Sequence, residues 1–197
     1  MRTAFVIYDG MTTLDFIGVY DALTRLKTMG FRDDFAWDVC AATPVVTDGT
    51  GLQLVPSRVG GSFAEFDMII VPGGPGSRRL LGDPDFIAWL QTARNCPRKV
   101  SVCSGSLLLG AAGFLAGRRA TSHRTAQADL AQYCATVLDE RIVDEGDVIT
   151  ARGVTSSIDL GLFLVERLAG REVREKIRRQ MDYEKLWTEL QEQGRGH

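Results

Sequence analysis

Residues 99–112 read KVSVCSGSLLLGAA, in which a short β-branched strand stops at Cys103 and a helix begins directly after it. Gly105, two positions beyond the cysteine, allows the sharp turn that such a junction needs. We therefore expect the Cys103 thiol to lie at the carboxyl end of a strand and to face the amides of the following helix. Because a helix N-terminus carries partial positive charge, it should favour the thiolate and make Cys103 reactive.

Strand-like and helix-like segments alternate along the chain around this junction. Such alternation predicts a three-layer α/β sandwich in which helices cover both faces of a mostly parallel central sheet. The continuous apolar runs at 4–7 and 68–71 are typical of strands that are buried on both sides. The predicted strands are residues 3–8, 35–42, 68–71 and 100–102, the predicted helices are 14–29, 84–95 and 156–168, and short hairpins are expected at 45–54 and 141–150.

Length and composition favour a single domain over residues 1–197. A chain of 197 residues with 45% hydrophobic residues can fill one core, and no repeat or long linker divides it. From Arg171 onward the sequence is highly charged, with apolar residues at helical spacing. We interpret 171–197 as a solvated amphipathic helical segment, or as an oligomer edge, whose last residues are frayed.

The charge balance argues against a nucleic acid or an anionic membrane as a partner. The 23 basic and 25 acidic side chains leave a net charge of −2, which suits a small-molecule substrate better. No window approaches the roughly 20 apolar residues of a membrane span. The N-terminus enters a strand rather than a signal peptide, so we expect a cytoplasmic protein.

The four cysteines are widely separated and form no cluster with metal-site spacing. We therefore expect free thiols, no metal and no cofactor. Cys40 lies in a predicted strand, Cys96 precedes Pro97 near a helix end, and Cys134 has no turn or charge partner that would activate it. These three cysteines are interpreted as structural residues, which leaves Cys103 as the functional candidate.

Two loops that end strands near Cys103 carry the candidate partners of its thiol. Asp15 follows Thr12 at the spacing of a helix capping box, which alone would explain it. Alternatively, its carboxyl group lies beside the Cys103 sulfur, where one proton would be shared and Asp15 would act as an acid/base. Gly73 and Gly74 form either a plain turn or, with the Ser104 amide, an oxyanion hole.

His123 lies 20 positions beyond Cys103. It could return to the same site as a base, an orienting group or a substrate-binding group. A lone histidine is more often a structural residue, and both interpretations stay open.

Six segments, in this order and spacing, resemble the ThiJ/PfpI superfamily, a branch of the class I glutamine amidotransferase-like, flavodoxin-like fold with a cysteine on a nucleophile elbow. The segments are FVIYDG (5–10), LDFIG (14–18), VPGGPG (71–76), VCSGS (102–106), GFLAGRRATSH (113–123) and GVTSSID (153–159). The superfamily commonly forms homodimers, so the resemblance implies a homodimer here.

Within the superfamily, LDFIG and VCSGS look most like the segments of isonitrile hydratases, cofactor-independent hydro-lyases that convert an isonitrile to an N-substituted formamide. By this resemblance Cys103 is the nucleophile that forms a thioimidate, Asp15 is the acid/base, and Ser104 stands in place of a threonine. Two departures affect the expected substrate. Arg124 stands where an aromatic residue is usual, and Arg152 lies in a stretch that is typically glycine-rich.

Two other functions are compatible with the same residues. A glyoxalase-like enzyme of the superfamily would process a carbonyl compound with Cys103 and either His123 or Asp15. A non-catalytic thiol redox sensor would oxidise Cys103. A transcription regulator is disfavoured, because the chain stops at His197 without the roughly 100 residues that two helix-turn-helix motifs need.

Overall fold

A seven-stranded sheet forms the centre of the protein, which a computed structural model describes over residues 1–183. The strands are β1 (Arg2–Val6), β2 (Ala36–Ala41), β3 (Val46–Thr47), β4 (Gln53–Leu54), β5 (Arg58–Val59), β6 (Met68–Val71), β7 (Arg98–Val102), β8 (Arg119–Ala120), β9 (Thr136–Val137), β10 (Ile142–Asp144) and β11 (Val148–Ala151). The order in the sheet is β10-β11-β7-β6-β1-β2-β5, and every neighbouring pair except β10 and β11 is parallel.

Helices form the two outer layers. They are α1 (Thr13–Thr28), α2 (Pro75–Leu80), α3 (Pro84–Gln91), α4 (Gly105–Ala111), α5 (Gln127–Leu130), α6 (Ser156–Ala169) and α7 (Arg171–Gln180). Helix α6 packs against α1 and α7, whereas α4 packs against α2, α3 and α5. The predicted three-layer α/β sandwich is confirmed.

The central strands are buried on both faces, as their continuous apolar sequences predict. All four residues of β6 are buried, and so are the last four residues of β1 and of β7. Because these neighbouring strands run in parallel, their carboxyl ends meet at one edge of the sheet. The loops that follow them bring residues 7–12, 72–74 and 103–104 to the same place.

Close packing between α1 and α6 fixes the position of the first helix over this edge. A Cβ atom on Gly161 would lie 2.7 Å from the Ala22 Cβ and 3.2 Å from the Gly18 carbonyl oxygen. The two helices therefore approach more closely than larger side chains would allow. Asp15, one turn before Gly18, is held in a buried position at the start of α1.

Most of the predicted elements agree with the structure, apart from small shifts at their ends. Both hairpins are antiparallel, and one of them, β10–β11, extends the main sheet. The helix predicted over 84–95 ends at Gln91 and continues as a 3₁₀ turn over Thr92–Asn95. The charged segment forms α7 as far as Gln180, and residues 184–197 lie outside the described part. Within residues 1–183, no helix has the length and apolar character that a bilayer crossing requires.

Candidate functional site

Cys103 lies in the tight turn between β7 and α4, as the sequence predicts. Its φ angle of 57° is in the left-handed region, which L-residues adopt only at a cost. Three hydrogen bonds hold this conformation: the Cys103 amide donates to the Ala151 carbonyl (2.9 Å), and its carbonyl accepts from the hydroxyls of Ser122 (3.0 Å) and Ser106 (3.2 Å). The thiol is therefore carried on a fixed backbone, and the residue is only 6% exposed.

The Asp15 carboxyl group points toward Cys103 and does not cap its own helix. Its Oδ2 accepts a hydrogen bond from the Gly73 amide at 3.0 Å. The Thr12 side chain forms no cap, and the Thr12 amide donates to the Gly73 carbonyl at 2.8 Å rather than to Asp15. The capping-box interpretation is thus wrong. Asp15 instead links α1 to the glycine-rich loop beneath the thiol.

Burial dominates the electrostatics of this pair. Burial raises the pKa of Asp15 to about 7, against the opposing effects of the Gly73 amide and the Cys103 thiol. Burial, together with the negative charge of Asp15, raises the pKa of Cys103 to about 12, although the Ser104 amide lowers it. The expectation that the helix N-terminus makes Cys103 a thiolate at rest is therefore wrong. Desolvation and the neighbouring carboxylate outweigh the helix end, so the pKa of the thiol is raised rather than lowered.

The amides of the glycine-rich loop already have acceptors. The Gly73 amide binds Asp15, and the Gly74 amide donates to the Ser104 hydroxyl at 3.0 Å. Ser77 also donates to that hydroxyl, at 2.8 Å. The Ser104 amide is the group directed at the Cys103 sulfur. For the Gly74 amide to bind a substrate oxyanion, its hydrogen bond to the Ser104 hydroxyl would have to break.

The glycines of this loop are required by the close approach of neighbouring backbone. A Cβ on Gly73 would lie 2.8 Å from the Cys103 Cβ, and one on Gly74 would lie 2.5 Å from the Thr12 amide nitrogen. Gly74 also has a φ of 129°, which other residues rarely adopt. The loop is therefore more than a turn, because it packs directly on the residues that carry both candidate reacting groups.

His123 lies beside Cys103, next to Gly153. A Cβ on Gly153 would be 2.7 Å from the His123 Cδ2 and 2.8 Å from the Cys103 Sγ. The imidazole Nδ1 accepts from the Thr125 amide at 3.3 Å and lies 2.9 Å from the Thr125 hydroxyl. These contacts fix the ring orientation, and within residues 1–183 Nε2 is the ring nitrogen that forms no hydrogen bond.

A cavity of about 280 Å³ opens onto these groups. Arg124 and Arg152, the two departures expected to affect the substrate, are not among its lining residues, and Arg152 instead forms an ion pair with Asp139 (2.9 Å). Arg78 lines the cavity and is held by Asp129 at 3.0 Å. Sequence reasoning missed Arg78 although it follows the glycine-rich loop by one helical turn. The lining residues are Thr12, Gly74, Pro75, Arg78, Cys103, Ser104, His123, Thr125 and Val154.

The other three cysteines lie outside this cavity. All are free thiols; Cys40 and Cys96 are buried, and Cys134 is partly buried. Burial raises the pKa of each, that of Cys40 to about 12. They suit the structural role predicted for them. Among residues 1–183, no three His, Cys, Asp or Glu side chains are grouped as a metal site would require.

Comparison with known proteins gives consistent matches over most of the chain. The model of the DJ-1/PfpI family matches residues 1–167. An isonitrile hydratase of Pseudomonas putida is 33% identical over 184 residues, which cover 93% of this chain and 78% of the relative. A glutathione-independent glyoxalase of Caenorhabditis elegans is 33% identical over 108 residues, covering 54% of this chain and 58% of the relative. The crystal structure of a ThiJ/PfpI family protein from Pseudomonas syringae superposes with a TM-score of 0.86 at 31% identity, covering 94% of this chain and 76% of that one.

Proposed function

Because the chain belongs to the DJ-1/PfpI family, we propose that it is an isonitrile hydratase-like hydro-lyase, which adds water to an isonitrile to form an N-substituted formamide. The observation that carries this proposal is the buried pair of Asp15 and Cys103, two acids that interact directly and of which Asp15 has a pKa raised to about 7. The similarity to the Pseudomonas putida isonitrile hydratase supports the choice of substrate class.

The first step forms a carbon–sulfur bond. The Cys103 sulfur attacks the terminal carbon of the isonitrile while the S–H proton passes to the Asp15 carboxylate. Asp15 then delivers that proton to the same carbon, which gives a thioimidate, R–N=CH–S–Cys103. A carboxyl group with a pKa of about 7 can both accept and return a proton near neutral pH, which suits this role.

The second step releases the product and restores the thiol. Water adds to the thioimidate carbon, and Asp15 takes one proton from the water and passes it to the nitrogen. The carbon–sulfur bond then breaks, and the remaining hydroxyl proton returns to the sulfur as the N-substituted formamide leaves. The Ser104 amide, which is directed at the sulfur, stabilises the departing thiolate. The net reaction consumes one water and leaves the enzyme unchanged.

The decisive assay supplies purified protein with cyclohexyl isocyanide or with methylglyoxal. We expect formation of N-cyclohexylformamide, detected by mass spectrometry, and no loss of methylglyoxal beyond the protein-free rate. Turnover of methylglyoxal without turnover of the isonitrile would replace the proposal by the glyoxalase alternative. Turnover of neither compound would leave both enzyme functions without support and would contradict the proposal.

The glyoxalase-like alternative rests on His123, whose fixed ring lies next to Cys103 beside Gly153. A histidine in this position could move a proton between the two carbons of a bound 2-oxoaldehyde. The glyoxalase of Caenorhabditis elegans matches about half of this chain. The redox-sensor alternative has less physical support, because its premise is an exposed thiolate of low pKa, whereas Cys103 is buried and its pKa is raised.

We also propose that the protein is a cytoplasmic homodimer. Support comes from exposed apolar side chains at one end of the molecule: Leu14 and Ile17 on α1, and Leu52 on the β3–β4 hairpin. The hairpin is tied to the start of α1, since Thr13 donates to the Asp48 carboxylate at 2.6 Å. Grouped apolar side chains of this kind are typical of protein interfaces.

The substitution Ile17→Glu should separate the dimer, because a buried unpaired carboxylate at an interface is costly. By light scattering at micromolar concentration, we expect the wild type to have about twice the 21.6 kDa chain mass and the variant to have the single-chain mass. Ile17→Leu, which keeps the apolar surface, should stay dimeric. A monomeric wild type, or an Ile17→Glu variant with the wild-type mass, would contradict the proposed interface.

A further inference from the structure

A second and larger cavity, of about 450 Å³, is lined by residues that follow β1 and β2 and by residues of α2 and α3. It shares no lining residue with the cavity over the thiol. Tyr8, Phe86 and Trp89 contribute aromatic walls, and Asp9, Asp83 and Asp85 contribute carboxyl groups. Its volume lies in the range of pockets that hold small organic ligands.

The aromatic walls present carbon faces rather than hydrogen-bonding groups. The Tyr8 hydroxyl donates a hydrogen bond to the Pro72 carbonyl (2.7 Å), and the Trp89 indole N–H donates one to the Gly61 carbonyl (2.6 Å). The three rings are locked edge to face, with centroids 5.7 Å apart for Tyr8 and Phe86 and 5.6 Å apart for Phe86 and Trp89. A rigid cluster of such faces attracts apolar groups and cations.

The carboxyl groups at this cavity have no ion-pair partner among residues 1–183. Asp9 uses one oxygen to accept the Thr47 amide (2.7 Å), and Asp83 uses one oxygen to cap α3 through the amides of Asp85 and Phe86. Within residues 1–183, the Asp85 carboxyl group and the second oxygens of Asp9 and Asp83 accept no hydrogen bond. These oxygens remain available to a ligand with N–H donors.

The one basic residue at the cavity does not neutralise this charge. Arg79 donates to the Asp9 backbone carbonyl at 3.0 Å and forms no ion pair with the lining carboxylates. Three carboxylates against one guanidinium leave the walls with two net negative charges. The cavity therefore combines an excess of negative charge with an aromatic surface.

We propose that this cavity binds a small organic ammonium ion that carries an apolar or aromatic body. The ammonium group would donate to the free oxygens of Asp83 and Asp85, and the body would pack on Phe86 and Trp89. A neutral or anionic analogue of the same shape gains no charge-assisted hydrogen bond there. The proposal concerns a site separate from Cys103 and holds whatever reaction the thiol performs.

The test is isothermal titration calorimetry with 2-phenylethylammonium chloride at pH 7 and low ionic strength, beside 2-phenylethanol and phenylacetate. We expect the ammonium ion to bind at least about tenfold more tightly than the alcohol, and phenylacetate to give no measurable heat. Asp85→Asn should weaken binding of the ammonium ion about tenfold and leave that of the alcohol unchanged. Asp83→Asn should act similarly, since asparagine keeps the helix cap.

Two controls make the assignment to this cavity falsifiable. Asp33→Asn removes the same charge from an exposed loop and should not alter binding. Cys103→Ala should bind the ammonium ion as the wild type does. The proposal is overturned if the ammonium ion and the alcohol bind with equal affinity, or if the ammonium ion does not bind at about 10 mM, a concentration that would detect very weak binding. It is also overturned if Asp33→Asn weakens binding as much as Asp85→Asn does, or if Cys103→Ala loses binding.

Discussion

Cys103→Ala is expected to reduce formamide formation from cyclohexyl isocyanide by about 10⁴-fold or more, because the proposed reaction passes through a bond to the Cys103 sulfur. Alanine leaves the backbone at residue 103 with the same Cβ and removes only the thiol. The fold should persist, since the hydrogen bonds that hold this turn involve the Cys103 amide and carbonyl. The rate is measured by chromatography of N-cyclohexylformamide, with circular dichroism to verify the fold.

Cys134→Ala is the matched control for this experiment. Cys134 is a free and partly buried thiol outside the cavity, so its removal should leave the rate within about twofold of wild type. Mass spectrometry of wild-type enzyme quenched during turnover should also show the mass of one isonitrile added at Cys103. Full activity in a folded Cys103→Ala variant would rule out covalent catalysis by this residue.

Asp15→Asn is expected to lower kcat for isonitrile hydration by about 10²- to 10⁴-fold, the usual contribution of a positioned acid/base group.

The variant should also lose the dependence of its rate on pH near neutrality. Asp15 must be ionised to accept the thiol proton, and burial raises its pKa to about 7. The wild-type rate should therefore rise between pH 6 and 8 with a midpoint of about 7, whereas the residual rate of the variant should be flat over that range.

The same substitution should stabilise the protein increasingly as the pH rises from 5 to 8. The pKa of Asp15 rises from its ordinary value of 3.8 to about 7 on folding, so the folded state holds the proton more tightly. The contribution of Asp15 to stability is greatest below pH 3.8 and is lost as the pH rises through about 7, where the buried group becomes charged. The rise in pKa corresponds to about 4 kcal/mol at most. Asp15→Asn should therefore gain stability relative to wild type between pH 5 and pH 8, as urea unfolding would show.

A wild-type pH profile with no transition near neutrality would contradict the assignment of Asp15 as the base. So would an Asp15→Asn variant with full activity. In contrast, a variant that is inactive and less stable than wild type at pH 8 would indicate that the Gly73 contact is chiefly structural. Measuring rate and unfolding on one preparation separates these outcomes.

The sheet was predictable from sequence because its central strands are continuous apolar runs. Met68–Val71 has the same bounds in the prediction and in the structure. The two-residue strands at 58–59, 119–120 and 136–137 carry too few residues for any periodicity to appear. Their pairing depends on contacts made across the fold.

The proximity of Asp15, Cys103 and the glycine-rich loop could be predicted from the topology, because parallel strands end at a common edge of the sheet. What could not be predicted was the balance of local electrostatic effects. A helix start lowers a thiol pKa, but the extent of burial and the direction of the Asp15 carboxyl group decide the outcome, and neither is visible in a motif. The absence of Arg124 and Arg152 from the cavity has a similar origin, because the packing of their loops determines where each guanidinium lies.

The left-handed backbone at Cys103 has a consequence for how this chain can change over evolutionary time. A side chain at φ 57° carries a conformational cost that glycine would not pay, so Cys103→Gly should relieve strain in the native state. Mutational drift under selection for foldability alone would therefore tend to remove the thiol.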